Sequence, residues 1–269
     1  MLCERWLPNM PFKTMLLKAL SLIFPDQCIF CGSILGYCKS QLCICPDCAK
    51  KITFSDEVDT CRLCGRQMPD EEMPLCPTCQ SHRHYFNRAV SCASYKDDIR
   101  EAVLRFKFGN CTDYARTFAA MMVRRIRPLC KTYGFDLTVC APLSKASMNE
   151  RGYNQAALLA KPIAKALGLA YCEKAFIKTK ETPKQSTLNY IQRMKNVENV
   201  FALDKDPSYF AGKTILLIDD VLTTGATADA LSKLLKAAGA KIVVVATLAC
   251  TEKDKNNELT NEDWKEITF

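Results

Sequence analysis

Apolar positions along the chain change period several times, and each change marks an element. From Lys213 to Thr227 (KTILLIDDVLTTGAT) the residues Ile215 to Ile218 form one apolar run, with Val221 just beyond Asp219 and Asp220. A short run of this kind predicts a strand buried on both faces, as in a parallel sheet. Lys241 to Ala249 (KIVVVATLA) repeats the pattern, and Arg88 to Tyr95 and Asp136 to Leu143 supply two more candidate strands. Between them the period turns helical. Ile99, Val103 and Phe106 share one face of a helix over 97–108, and a second helix is expected over 113–127, closed by Pro128. A third spans Gln155 to Leu167, where Pro162 should kink it. After Thr227, Ala228, Leu231, Leu234, Leu235 and Ala238 make a stripe that Gly239 ends. Strands alternating with helices predict an α/β fold, a parallel sheet flanked by helices and joined by right-handed crossovers.

The two ends and one internal stretch break this rhythm. Residues 1–25 carry a short amphipathic helix with Leu16, Leu17, Leu20 and Phe24 on one face. Its apolar patch, Met15 to Phe24, is about half of a membrane span, and no small-residue cleavage site precedes Cys28. Residues 251–269 are polar and lack a core pattern, as expected of a loose tail. Lys174 to Lys195 is basic, and reads either as a solvated loop or as a hood over an anionic ligand.

Composition adds little until the cysteines are placed. Apolar content of 48% with 25% charged residues is ordinary for a soluble globular protein. Four CxxC pairs stand in the first third: Cys28/Cys31, Cys45/Cys48, Cys61/Cys64 and Cys76/Cys79. Two-residue spacing lets both sulfurs of a knuckle reach one tetrahedral ion, so four pairs predict two closed Cys₄ sites holding structural Zn²⁺. Sequential pairing closes the shorter loops and is favoured; a cross-braced arrangement stays open. Cys38 and Cys43, between the first two pairs, are competing ligands, whereas His82 and His84 read as surface or loop residues. Nine further scattered cysteines, an odd total and no secretion signal point to a reducing, cytoplasmic setting rather than a disulfide framework. Zinc also tempers the charge: each Cys₄ site contributes about −2, taking the net from +8 to about +4. That weakens any case for nucleic acid from charge alone.

The chemistry concentrates behind the Asp219–Asp220 strand. Thr223, Thr224, Gly225, Ala226 and Thr227 open a helix, where unpaired amides, hydroxyls and a residue without a side chain suit a phosphate. Two carboxylates repel that phosphate but accept hydrogen bonds from sugar hydroxyls or hold Mg²⁺ through water. The ligand implied is a ribose bearing a 5′-phosphate. An apolar strand, two acids and T-T-G-x-T resemble the phosphoribosyl-diphosphate (PRPP) loop of type I phosphoribosyltransferases. Leaving pyrophosphate needs a second anion loop. Leu143, Ser144, Lys145 and Arg151 supply it at the next strand end, with Asn154 equally suited to capping the following helix.

The cysteine pairs, a KFG step at Lys107–Gly109, Ala141-Pro142-Leu143, RGYNQ at Arg151–Gln155 and TTGAT together resemble the ComF family over roughly residues 16–249. That resemblance implies a type I phosphoribosyltransferase-like parallel sheet preceded by a small double zinc ribbon, in a cytosolic bacterial protein associated with competence for DNA uptake. It divides the chain into the helix 1–25, ribbons over 26–84, a phosphoribosyltransferase-like domain over 85–250 and the tail. It implies PRPP and Mg²⁺ as ligands, Asp219, Asp220 and Arg193 as catalytic residues, and transfer of phosphoribose to an acceptor that the motifs do not name. The chain departs from relatives at Ser144, where many carry histidine, and at Lys178 and Lys180, where arginine is usual; lysine lacks the bidentate fork. Two other readings stay open: a PRPP- or nucleotide-binding adaptor without turnover, and a nucleic-acid-binding factor using Arg83, His84, Tyr85, Phe86 and Arg88.

Overall fold

The structure is a computed structural model and describes residues 25–36, 42–52, 54–55, 58–68, 73–180 and 199–251. The cysteine-rich part holds the hairpin β1 (Asp26–Gln27) and β2 (Ile34–Gly36) and the short helices α1 (Pro46–Lys51) and α2 (Pro77–Ser81). Then come β3 (Arg88–Ser94), α3 (Asp97–Phe108), α4 (Tyr114–Tyr133), β4 (Leu137–Cys140), α5 (Lys145–Arg151), α6 (Gln155–Leu167) and β5 (Ala170–Cys172). A second hairpin, β6 (Phe176–Lys178) with β7 (Phe201–Leu203), precedes β8 (Thr214–Leu222), α7 (Ala226–Ala237) and β9 (Ile242–Cys250).

Five strands make one parallel sheet in the order β3-β9-β8-β4-β5. Its centre is the apolar run of the sequence: Ile215, Leu216, Leu217 and Ile218 on β8 and Val243 to Val245 on β9 are wholly buried. Helices pack across the sheet, α6 against β8, β4 and β5, α4 against β3 and β9, and α7 against β8 and β9. On α4, Phe118, Met122 and Ile126 stack at four-residue spacing with no exposure, each contributing roughly 1.5–3 kcal/mol of burial. From β4 the chain moves outward to β5, and from β8 it moves the other way to β9. The direction of winding reverses between β4 and β8. A crevice opens at such a reversal, beyond the carboxyl ends of the two strands.

One local expectation gives way to packing. Pro128 does not end its helix: α4 runs on to Tyr133, because Leu129, Cys130 and Tyr133 still reach the core. The end comes at Gly134, whose φ of 58° suits glycine and whose N–H donates to the Cys130 carbonyl at 3.0 Å. α6 covers Gln155–Leu167 as expected, with Pro162 inside it. β8 carries on past both aspartates to Leu222, paired with β9 as far as Cys250, so the acids lie near its carboxyl end, where the sequence places them. The expected helix over 1–25 and the tail over 251–269 lie outside the described residues, save Pro25 and Thr251. Among the described residues no helix is long and apolar enough to cross a membrane.

Two of the places where the cysteine-rich part joins the α/β part involve backbone groups of the ribbons. In the first, Arg105 of α3 donates to the carbonyls of Ile29 and Phe30 at 2.8 and 2.9 Å, and the Cys43 N–H donates to Thr117 Oγ1 on α4 at 3.1 Å. In the second, the Ala89 N–H on β3 donates to the Leu63 carbonyl at 2.6 Å and the Ser55 N–H donates to the Cys92 carbonyl at 2.8 Å. Gly65 sits so close that a Cβ there would lie 2.7 Å from the Ala89 carbonyl oxygen.

Candidate functional site

A cavity of about 540 Å³ occupies the crevice at the ends of β4 and β8. One wall is the phosphate-loop candidate: Asp219, Asp220, Thr223, Gly225, Ala226 and Thr227 all line it. Leu143, Ser144 and Arg151 line it from the β4 side. The fold thus brings together two stretches some eighty residues apart that sequence reasoning assigned to one ligand. Three assigned residues behave otherwise. Thr224 does not line this cavity; its Oγ1 accepts from the Ala226 N–H at 3.2 Å at the start of α7. Lys145 does not line it either, being the first residue of α5. Arg193, with the 181–198 part of the expected hood, lies outside the described residues.

The two aspartates differ. Asp219 is pushed up to about 7 by burial and by its neighbour Asp220, against the Asp220 N–H, which donates to Asp219 Oδ1 at 2.8 Å, and against Lys107. Asp220 is paired: Lys107 Nζ lies 2.8 Å from its Oδ1, and both side chains are largely buried. Lys107 comes from the KFG step at the end of α3, which sequence reading noticed but gave no role.

The opposite wall offers donors. Ser144 caps α5, its Oγ accepting from the Ser147 N–H at 3.1 Å, so its oxygen is already engaged. Asn154 caps α6 through the Ala156 N–H at 3.0 Å and ties the strand end by donating to the Ala141 carbonyl at 2.9 Å. Arg151 stacks over Phe108 at 4.6 Å and donates from Nη1 to Gln155 Oε1 at 3.0 Å. Arg151 Nε and Gln155 Nε2 are both buried with no hydrogen-bond partner. Orphaned buried donors are costly, and because these two atoms are closed to solvent, an anion in the cavity would reach them only after a shift of the wall. Gln155 was read only as the start of a helix; its burial is a property of the fold that no local signal announces.

The cysteines assemble sequentially, Cys28, Cys31, Cys45 and Cys48 in one cluster and Cys61, Cys64, Cys76 and Cys79 in the other. Cys43 displaces none of them, and Cys38 lies outside the described residues. Sulfurs stand 3.7 Å apart across each cluster, for Cys31 with Cys45 and for Cys64 with Cys76. Ligands of a tetrahedral Zn–S₄ centre should be about 3.8 Å apart. Backbone N–H groups of Cys45, Cys48 and Cys76 donate to the Sγ of Cys28, Cys45 and Cys61, as sulfurs carrying negative charge invite. Cys31 is drawn down to about 6 by hydrogen bonds from Ser33. Both clusters fit structural zinc.

A third group, His82, His84 and Asp229, also converges. His84 lies in the loop before β3, as a surface or loop reading allows, yet its side chain is only 4% exposed, stacked on Phe86, with Nδ1 2.6 Å from Asp229 Oδ2. That separation is a hydrogen bond, since two ligands of one zinc ion would stand about 3.3 Å apart. Burial would raise Asp229, but hydrogen bonds from His82 and His84 outweigh it and hold the carboxyl below its usual range. Phe86 is buried as well and the Tyr85 N–H donates to Asp229 Oδ1 at 2.8 Å, so of the aromatic rings in the run 83–88 only that of Tyr85, 42% exposed, is turned outward.

Comparison with known proteins follows the same two parts. The double zinc ribbon domain family matches residues 19–93, and the phosphoribosyl transferase domain family matches residues 154–268. Competence protein F of Haemophilus influenzae is 29% identical over 84% of this chain and 97% of its own length. The DNA utilization protein YhgH of Salmonella typhimurium is 28% identical over 86% of this chain and 99% of its own. Competence protein ComFC of Streptococcus pneumoniae is 28% identical over 82% and 99%. Among solved structures, adenine phosphoribosyltransferase from Thermoanaerobacter pseudethanolicus covers 51% of this chain and 81% of its own at 18% identity, with a TM-score of only 0.33. A double zinc ribbon leading into a phosphoribosyltransferase domain, and near full-length similarity to competence and DNA utilization proteins, together support the ComF family for this chain.

Proposed function

We propose that the chain binds PRPP with Mg²⁺ in the 540 Å³ cavity and transfers its phosphoribosyl group to a nucleophilic acceptor, releasing pyrophosphate. One observation carries this reading: a phosphate-type loop with its acids and a polar wall that includes Ser144, Arg151, Asn154 and Gln155 line the same crevice. The 5′-phosphate would take the amides of Gly225 to Thr227 at the start of α7, where the helix dipole favours an anion. Asp219 and Asp220 would accept from the ribose 2- and 3-hydroxyls, and Arg151 and Gln155 would donate to pyrophosphate. As the bond from C1 to the pyrophosphate oxygen breaks, its electron pair leaves with pyrophosphate, while a lone pair of the acceptor forms the new bond to C1 and its proton passes to solvent. Mg²⁺, when bound with the substrate, would offset the charge gathering on pyrophosphate, and the adjacent carboxylates Asp219 and Asp220 are suited to hold its waters. Positioning and fixed charge would supply most of the acceleration.

The relatives' names, competence protein and DNA utilization protein, support a place for this activity in DNA uptake in the cytoplasm, with the uptake machinery as partner. In this reading residues 26–84 form the zinc-bearing unit and 85–250 the transferase. A second reading, binding without turnover, is favoured by the Lys107–Asp220 ion pair and by the prior engagement of Ser144, which leave fewer groups to act on the leaving group. Calorimetry with PRPP and Mg²⁺, followed by pyrophosphate release against a panel of nucleobases and amines, tests both. Failure to bind PRPP overturns the proposal; binding with no release across the panel selects the second reading.

A further inference from the structure

The phosphate loop is held from below by the cysteine-rich part. Arg66, the residue after Gly65 in the third knuckle, is 9% exposed, and its Nη2 donates to the Thr223 carbonyl at 2.9 Å. A small cavity between the second cysteine cluster and the loop is lined by Cys64, Cys79, Arg66, His84, Thr224 and Gly225. His84 meets the loop from the same side, with Cε1 3.7 Å from where a Cβ on Gly225 would stand, while its Nδ1 holds Asp229 in the first turn of α7. The Asp229 N–H in turn donates to the Gly225 carbonyl at 2.8 Å. Nothing comparable ties the first cluster to the loop: its described contacts run to α3 and α4 through Arg105 and Thr117.

We infer that Arg66 is a positioning residue for the ribose-phosphate loop, so that the second Cys₄ site, and not the first, sets the affinity for the 5′-phosphate. The physical reason is that a loop binding phosphate by backbone amides must keep them convergent without ligand. A guanidinium on the Thr223 carbonyl fixes the peptide plane at the mouth of that loop, and it adds a positive charge behind the anion site. Being anchored between two knuckle cysteines and β3, Arg66 has little freedom to follow the loop if it drifts. The inference rests on the PRPP reading of the site.

The test compares wild-type, Arg66→Met and Arg66→Lys full-length zinc-loaded proteins in titrations with ribose 5-phosphate and, separately, with pyrophosphate. Losing a charged hydrogen bond that orders the loop should weaken ribose 5-phosphate binding roughly ten-fold in the methionine variant. Lysine, with charge but no planar fork, should fall between the two. Pyrophosphate affinity and a zinc content of two per chain should hold in both variants, which a general loss of structure would not allow. Ribose 5-phosphate affinity within two-fold of wild type in Arg66→Met, or equal losses for both ligands, overturns the inference. Should the methionine variant not fold, the lysine variant decides: at least a two-fold selective loss supports the inference, and wild-type affinity refutes it. Wild-type protein that binds neither ribose 5-phosphate nor PRPP sinks the underlying functional reading and this inference with it.

Discussion

Replacing Asp219 by asparagine should make the ligand-free protein more stable, and increasingly so as pH rises. Asp219 is pushed from an ordinary 3.8 to about 7 by burial and by Asp220. The unfolded chain gives up this proton near pH 4 and the folded chain only near pH 7. Stability is therefore lost as pH climbs between those values, and the cost is fully present above 7. At 1.36 kcal/mol for each tenfold in acidity, the cost is roughly 2 kcal/mol at pH 5.5 and roughly 4 kcal/mol at pH 8. Asparagine keeps an oxygen for the Asp220 N–H and cannot ionise, so it removes the cost without emptying the site. Urea unfolding of both proteins at pH 5.5 and pH 8, with zinc content verified at each, measures the difference. A gain in stability that does not grow with pH, or a loss at pH 8, would refute the assignment of burial and Asp220 as the source of strain. The same substitution should weaken PRPP binding, which places the site's stability and its function in opposition.

Four further outcomes are expected. Asp219→Asn combined with Asp220→Asn abolishes PRPP binding by calorimetry while zinc stays at two per chain; unchanged affinity would remove these acids from the site. Lys107→Met deletes the cation that favours the ionised form of Asp219, so the upper end of the pH window over which stability is lost moves above 7. Gly65→Ala forces a Cβ to 2.7 Å from the Ala89 carbonyl at a φ of 70°, and denaturant titration should show a loss of about 1–3 kcal/mol. Cys76→Ser drops zinc from two to one per chain by metal analysis and, because the second cluster underlies the phosphate loop, reduces ribose 5-phosphate binding more than Cys31→Ser does.

The elements with strong periodicity were legible in the sequence: the helices over 97–108 and 155–167 lie where Ile99, Val103 and Leu159 demand, and the two apolar runs became β8 and β9. So were the acids, the threonine loop and the cysteine pairing, because each depends on local spacing. Illegible were features fixed by distant partners. Pro128 carries a local stop signal that core contacts from Leu129 and Tyr133 override. His84 has no motif to announce a buried bond to Asp229, 145 residues away, nor does Arg66 for a carbonyl 157 residues away. Short strands such as β5, with three residues of mixed character, carry too little pattern to stand out from a loop.

The attachment of the third knuckle to β3 has one more effect. β3 is the outermost strand of the sheet, and on its free side the ribbon meets its backbone at Ala89, Cys92 and Ala93. An uncovered strand of this composition, RAVSCAS, is a template on which other chains can add. The cysteine-rich module thus works as a cover against self-association, and a protein trimmed to its α/β part should precipitate or form strand-paired aggregates even where its cavity is intact.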